Sequence, residues 1–233
     1  MKASCPACRL SLSGPKSAIG TRVDCPECRH SFFWSDRTHA GETFVVYDLE
    51  TTGLDPEHDE FIQLAAMRFS AGCLCPEETF ASFARPRKSI SPFIESYTGV
   101  GNHHVRDAAR PEEVLCEFAA WAGDSTLIAH NGLRFDSKFL AATCLRHGLP
   151  MREVHCIDSI HMSKMLFGKT RGTGHSLDHL VSRLRIDAHG VRRHDARGDV
   201  EILGSAVSHM WQRLGLDRAF NGVPRHSTFL PRA

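Results

Sequence analysis

The sequence lacks any apolar run near the roughly 18 residues a membrane-spanning helix needs. Its N-terminus, MKASCPACRLSLSG, has no apolar stretch of the kind that opens a secretory signal. It also lacks net charge. Twenty-eight Lys and Arg against 27 Asp and Glu leave +1 with histidine neutral, which excludes a polycation that coats nucleic acid along its whole length. A local basic patch stays open. No low-complexity tract and no internal repeat stand out. Disorder and fibrous architecture are excluded as well, because 42% hydrophobic and 24% charged residues is an ordinary globular balance. A chain of 233 residues has room for one full domain and a small one. With no export or membrane signal, the expected location is the cytoplasm, and the nine cysteines are expected to be reduced. Five of them (73, 75, 116, 144 and 156) have no metal-type spacing and read as small hydrophobic packing residues.

Residues 1–38 differ from the rest of the chain. Cys5-Pro6-Ala7-Cys8 and Cys25-Pro26-Glu27-Cys28 are two C-x-x-C knuckles separated by 16 residues. That spacing suits a structural site of four thiolates around one zinc ion, with no position open for water. A segment this short cannot bury a sufficient core, so the metal supplies the missing folding energy. The 16 intervening residues are long enough for a small hairpin that brings the second pair opposite the first. The whole resembles a zinc ribbon. Six basic residues against three acidic give it a local +3, which makes nucleic acid a candidate partner beside a polymerase or another protein.

Thr38 to Glu42 reads as a linker, residues 39–214 as an α/β domain, and 215–233 as an irregular tail. In the domain, strands are expected at Thr43–Glu50, Phe61–Phe69, Thr79–Phe83, Thr126–His130 and Val154–Ile157. Helices are expected at Pro111–Trp121, Ser137–His147, Ser159–Leu166, Ser176–Leu184 and Ala196–Arg213. Three strands before the first helix, then alternation, predict a mixed sheet flanked by helices.

Three segments carry chemistry. Phe44 to Leu49 is apolar except for Asp48, and the strand ends at Glu50. Asp48 and Glu50 stand at i and i+2, so both carboxylates project from one face, while Leu49 points the other way into packing. Two acids at a buried strand end are costly unless a cation sits between them. His130-Asn131 closes a second apolar strand, and Asp136 falls near a helix start. His194 lies just before a long helix that places Asp199 in its early turns. Ala196 and Gly198 are small enough to let another chain or a substrate approach closely.

D-L-E-T-T-G-L at 48–54, H-N-x-x-x-F-D at 130–136 and H-x-A-x-x-D at 194–199 resemble the three exonuclease motifs of the DnaQ-like family. The histidine in the third motif corresponds to its DEDDh branch, which includes proofreading subunits of bacterial replicative polymerases. The resemblance covers about residues 43–210. Ile62 to Ala66, Thr98-Gly99-Val100 and His175 to Asp178 agree with it. One departure is visible: three residues separate Asn131 from Phe135, where the family usually has two. The resemblance implies a ribonuclease-H-like fold and removal of mononucleotides from 3′ ends.

All-oxygen ligation by Asp48, Glu50, Asp136 and Asp199 selects hard ions, so two Mg²⁺ or Mn²⁺ are expected. Two such ions stabilise both the attacking and the leaving oxygen of an in-line displacement. By similarity, Asp48 would bridge the metals, Glu50 and Asp199 would serve the nucleophile side, and Asp136 would hold the second metal directly or through water. His194 is suited to take the proton from attacking water. The resemblance also implies that Thr51, Thr52, Gly53, Leu54, His130, Asn131 and Phe135 contact the terminal nucleotide. Arg85, Arg87, Lys88, Lys169 and Arg171 are candidate phosphate contacts. The expected activity is metal-dependent 3′→5′ cleavage of DNA. The same chemistry on RNA, or a nucleic-acid-binding module with a vestigial site, are the alternatives.

Overall fold

The computed structural model describes residues 2–5, 8, 10–15, 22–33, 43–70, 72–168, 174–216 and 220–232. The expected linker, Lys169 and Arg171 lie outside these residues. The cysteine segment consists of two separate hairpins, β1 (Lys2–Ser4) with β2 (Ser11–Ser13), and β3 (Arg22–Asp24) with β4 (Ser31–Phe33). Each cysteine pair lies in sequence between the two strands of its own hairpin, so the pairs are not the two ends of a single hairpin spanning the 16-residue gap. The registers are identical after a shift of 20: Lys2 faces Ser13 as Arg22 faces Phe33. The Cys5 amide donates to the Leu10 carbonyl just as the Cys25 amide donates to that of His30, both at 2.9 Å. The segment is therefore an internal repeat, C-P-x-C-R-x-S at 5–11 and 25–31. It escapes notice because the flanking strand residues differ, Lys2-Ala3-Ser4 against Arg22-Val23-Asp24 and Ser11-Leu12-Ser13 against Ser31-Phe32-Phe33.

The remaining strands form one six-stranded sheet. Its centre is β5 (Phe44–Thr51), antiparallel to β6 (Phe61–Ser70) and parallel to β8 (Thr126–Ala129). Outside β6 runs β7 (Cys73–Phe83), antiparallel. Outside β8 runs β9 (Met151–Asp158), parallel, and then β10 (Arg225–Pro231), antiparallel. This is the mixed sheet of a ribonuclease-H-like fold.

Helices cover both faces, and β5 shows why. Phe44 and Val46 belong to a core shared with Val200, Leu203, Val207 and Met210 of the long helix α7 (Ala196–Leu214). Val45, Tyr47 and Leu49 belong to the opposite core, with Val114, Leu115 and Phe118 of α3 (Pro111–Ala122) and Phe139 and Leu140 of α4 (Asp136–Arg146). The period of two thus continues the α7 side through Asp48 and Glu50 and keeps Leu49 in packing, as expected. Two further helices, α5 (Ser159–Phe167) and α6 (Leu177–Leu184), join the α7 core.

Several expectations need correction. The tail is not irregular. Residues 225–231 form β10, with Thr228 and Leu230 inward and Ser227 and Phe229 outward. That alternation is short and bounded by Pro224 and Pro231, which conceals it. The catalytic unit therefore extends past residue 214. Strand β7 begins at Cys73, not Thr79, because a register shift opposite Met67 and Arg68 lets residues 76–78 interrupt its pairing. Proline is tolerated there because β7 is an edge strand. Two short helices, α1 (Pro92–Thr98) and α2 (Asn102–Val105), occupy a stretch without a readable period. Of the five unpatterned cysteines, Cys144 and Cys156 are buried, but Cys73 and Cys116 are exposed. No helix among the described residues is long and apolar enough to cross a membrane.

Candidate active site

The end of β5 and the start of α7 bring Asp48, Glu50 and Asp199 together, with one carboxylate oxygen of each within 4.8 Å of the others. Glu50 and Asp199 are buried and Asp48 is partly exposed. Asp136 opens α4 and is buried beside them. Burial and mutual repulsion act in one direction. Desolvation, then the charge of Asp136, pushes Glu50 up to about 8. Desolvation raises Asp136 to about 7, and raises Asp48 well above the usual carboxylate range. A cluster so reluctant to ionise calls for cations of its own. Oxygens from two elements at this separation suit hard divalent ions.

Second contacts hold the acids in place. The Gln63 side chain donates to Asp195 Oδ1 at 3.0 Å and accepts from the Ala196 amide at 3.1 Å, which ties β6 to the first turn of α7. Asp195 caps that turn and is held in its ionised form, below the usual carboxylate range, chiefly by Arg197. Gly198 is required at its position, because a Cβ there would collide with the Arg192 carbonyl oxygen. The close approach it permits is thus that of the chain's own loop, not of a second chain or a substrate.

His194 is left-handed, with φ of 57°, and its amide donates to Asp199 Oδ2 at 3.1 Å. Its ring stacks on Tyr97 of α1 with centroids 4.0 Å apart, and Tyr97 in turn stacks on Phe93. Partial burial, then the charge of Arg193, lowers its pKa and favours the neutral imidazole.

The expected nucleotide contacts divide. Leu54 is 83% exposed and free to meet a ligand. Thr51 is buried, its hydroxyl donating to the Gly53 carbonyl at 2.6 Å, so it shapes the turn. Thr52 is tied to Asp59 and to the Glu60 amide, both at 3.1 Å. His130 bonds Ser159 at 2.8 Å and is lowered to about 4, chiefly by burial. Asn131 is left-handed, and its amide donates to Asp158 at 3.0 Å; the Leu133 amide reaches the other oxygen of that carboxylate at 3.3 Å. Phe135 packs on Phe139. The additional residue in this loop leaves Asp136 at the helix start. Of the basic candidates, Arg87 is held by buried Glu60 at 3.1 Å, and Arg85 donates to the Arg106 carbonyl at 3.2 Å. Lys88 Nζ donates to the His58 carbonyl at 3.3 Å, and all three residues are exposed.

Asp158, Tyr97 and Arg193 are additions from the structure. Asp158 ends β9, caps α5 and organises the Asn131 loop. An acid ahead of Ser159, where a helix begins, was the available signal. Tyr97 had none, because α1 lacks a period. Arg193 pairs with Asp199 and with Asp178 of α6.

In the cysteine segment, Cys5 Sγ lies 3.6 Å from Cys28 Sγ, and Cys8 Sγ lies 3.5 Å from Cys25 Sγ. Tetrahedral thiolates at about 2.3 Å from zinc stand about 3.8 Å apart, so the four sulfurs fit such an ion. Cys5 and Cys25 are buried under Leu10, Leu12 and Val23.

A family model described as exonuclease, of the RNase T type, matches residues 45–206. The PolC-type DNA polymerase III of Bacillus cereus is 34% identical over 174 residues, covering 75% of this chain and 12% of that protein. Its counterpart in Streptococcus sanguinis is 33% identical over 176 residues, again 75% of this chain and 12% of that protein. The chain thus matches only about an eighth of the length of these curated relatives. Among solved structures, exonuclease X in complex with 5′-overhanging duplex DNA aligns with a TM-score of 0.60 at 20% identity, covering 75% of this chain and 95% of that one. The nuclease domain of 3′hExo, a DEDDh family member bound to rAMP, aligns with a TM-score of 0.65 at 20% identity, covering 78% and 96%. The motif matches, the sheet order and the matched family model together establish that this chain belongs to the DnaQ-like exonuclease family.

Proposed function

We propose that the chain removes nucleotides one at a time from the 3′ ends of DNA by metal-assisted hydrolysis. The observation that carries this reading is the convergence of Asp48, Glu50 and Asp199 within 4.8 Å, with Asp136 buried alongside. These four residues would hold two Mg²⁺ or Mn²⁺. When bound, the ions supply charge stabilisation to the attacking and leaving oxygens. The chain's own residues do the rest. His194, neutral and partly exposed beside Asp199, accepts the proton of the attacking water. Leu54 offers an apolar surface to the terminal base, and the stacked rings of Tyr97 and Phe93 extend such a surface next to His194. Asn131, its backbone set by Asp158, lies on the loop that leads to Asp136. Cys5, Cys8, Cys25 and Cys28 hold one structural zinc, and the basic ribbon delivers nucleic acid or docks on a polymerase or another protein.

DNA is favoured because the sequence relatives are DNA polymerases. The test uses 5′-labelled single-stranded DNA and matched RNA, with Mg²⁺ or Mn²⁺, beside an Asp48→Asn control. A ladder shortening from the 3′ end of DNA and absent in the control is expected. A ladder on RNA alone replaces DNA as substrate. Tight end binding without turnover under any of these conditions contradicts the reading.

A further inference from the structure

Arg193 stands in the loop between α6 and α7, next to His194. Its Nη1 is ion-paired with Asp199, while its Nε donates to Asp178 Oδ1 at 3.0 Å and its Nη2 is ion-paired with the same oxygen at 2.9 Å. The second oxygen of Asp199 accepts from the His194 amide. The guanidinium therefore sets a positive charge against the acidic cluster, and its field reaches Asp48 and Glu50 as well. The two acids it bridges differ. The Asp199 side chain is 9% exposed and that of Asp178 is 73% exposed.

One guanidinium offsets one unit of charge in a site of four carboxylates. A divalent cation offsets twice as much and binds oxygen directly. When such an ion enters, it competes with Nη1 for Asp199. Losing that ion pair does not free the arginine, because its hydrogen bond and ion pair with Asp178 remain. It stays tethered at the solvent side of the cluster, where the phosphate of an incoming nucleic acid must arrive. A guanidinium with one edge vacated is a planar two-donor fork suited to phosphate oxygens.

We propose that Arg193 is a substrate-binding residue held in reserve: it rests on Asp199 in the metal-free protein and passes to a phosphate of the nucleic acid when divalent ions displace it. The inference rests on the metal-dependent reading above. It gives metal binding and substrate binding a common element, so that the phosphate contact becomes available only in a site already loaded for hydrolysis.

The test uses the full chain, freed of catalytic metal by mild chelation, as wild type, Arg193→Ala and Arg193→Gln. Three quantities are measured: Mn²⁺ affinity by calorimetry, melting temperature in chelator and in Mn²⁺, and affinity for the product nucleotide dTMP with Mn²⁺ present. Both variants are expected to bind Mn²⁺ about tenfold more tightly, since a competing positive charge is gone. They should melt lower than wild type in chelator but not in Mn²⁺. Their dTMP affinity should fall about tenfold. Unchanged Mn²⁺ affinity, or equal destabilisation with and without Mn²⁺, makes Arg193 a fixed strut and overturns the proposal. So does unchanged dTMP binding. If one variant fails to fold, the other carries the same expectations. Wild type that takes up no Mn²⁺ at this site defeats the functional reading, and the arginine proposal with it, whereas Mn²⁺ uptake with indifferent variants defeats the arginine proposal alone.

Discussion

At the scale of single residues, environment separates groups that look alike in the sequence. His130 and His194 both stand beside motif acids or amides, yet His130 is held on Ser159 and lowered to about 4 by burial. A lowered base binds fewer protons when folded than when unfolded. Its burial therefore costs nothing above its ordinary value near 6.5 and destabilises the protein as pH falls from there toward 4. His130→Gln should flatten that part of the acid-denaturation curve, measured as melting temperature against pH. Gly198 makes a different demand. Gly198→Ala forces the Arg192 carbonyl away and carries His194 with it. Activity should fall at least tenfold with little change in melting temperature, because the strain falls on a loop. Asp48, Glu50, Asp136, Asp199 and His194 were legible because each sits in a motif with fixed spacing. Arg193 was not, because its partners Asp178 and Asp199 lie on two different helices and no period links a loop arginine to either.

At the scale of elements, β5 and α7 could be read from the chain because each is long and its pattern is uninterrupted. Val45, Tyr47 and Leu49 keep a strict alternation, and α7 keeps its apolar side for 19 residues. The stretch from 90 to 105 could not, since α1 and α2 are short and lie over a small satellite core of Ile62, Ile90, Val100 and Val105. Strand β10 was hidden for the same reason, yet it is firmly anchored. Leu230 is fully buried, and the Thr228 hydroxyl donates to the Ser137 carbonyl at 2.8 Å, one residue past Asp136. Leu230→Ala should cost about 2–4 kcal/mol in urea denaturation. The paired hairpins at the N-terminus make their own prediction. Each contributes two sulfurs, so Cys8→Ser should lower zinc content from one ion per chain toward none, measured by elemental analysis. The catalytic unit should keep its melting transition, because the exonuclease sheet includes no strand from the hairpins.

For the whole molecule, the acidic cluster links stability to cations. Glu50 near 8 and Asp136 near 7 retain protons in the folded state at pH values where an unfolded carboxyl has lost them. Acids raised in this way destabilise the fold progressively as pH climbs from about 4.5 to 8, and impose no penalty below that range. The melting temperature of the chelated protein should therefore fall between pH 5 and 8, and Mn²⁺ should restore most of the loss at the upper end. A flat profile with chelator would show that the carboxylates ionise without strain. The most direct measurement is anomalous diffraction from crystals soaked in Mn²⁺, with Asp48→Asn crystals beside them. Two peaks among Asp48, Glu50, Asp136 and Asp199, weakened or lost in the variant, are the predicted result. No peak among these four residues, or equal peaks in the variant, would contradict the account.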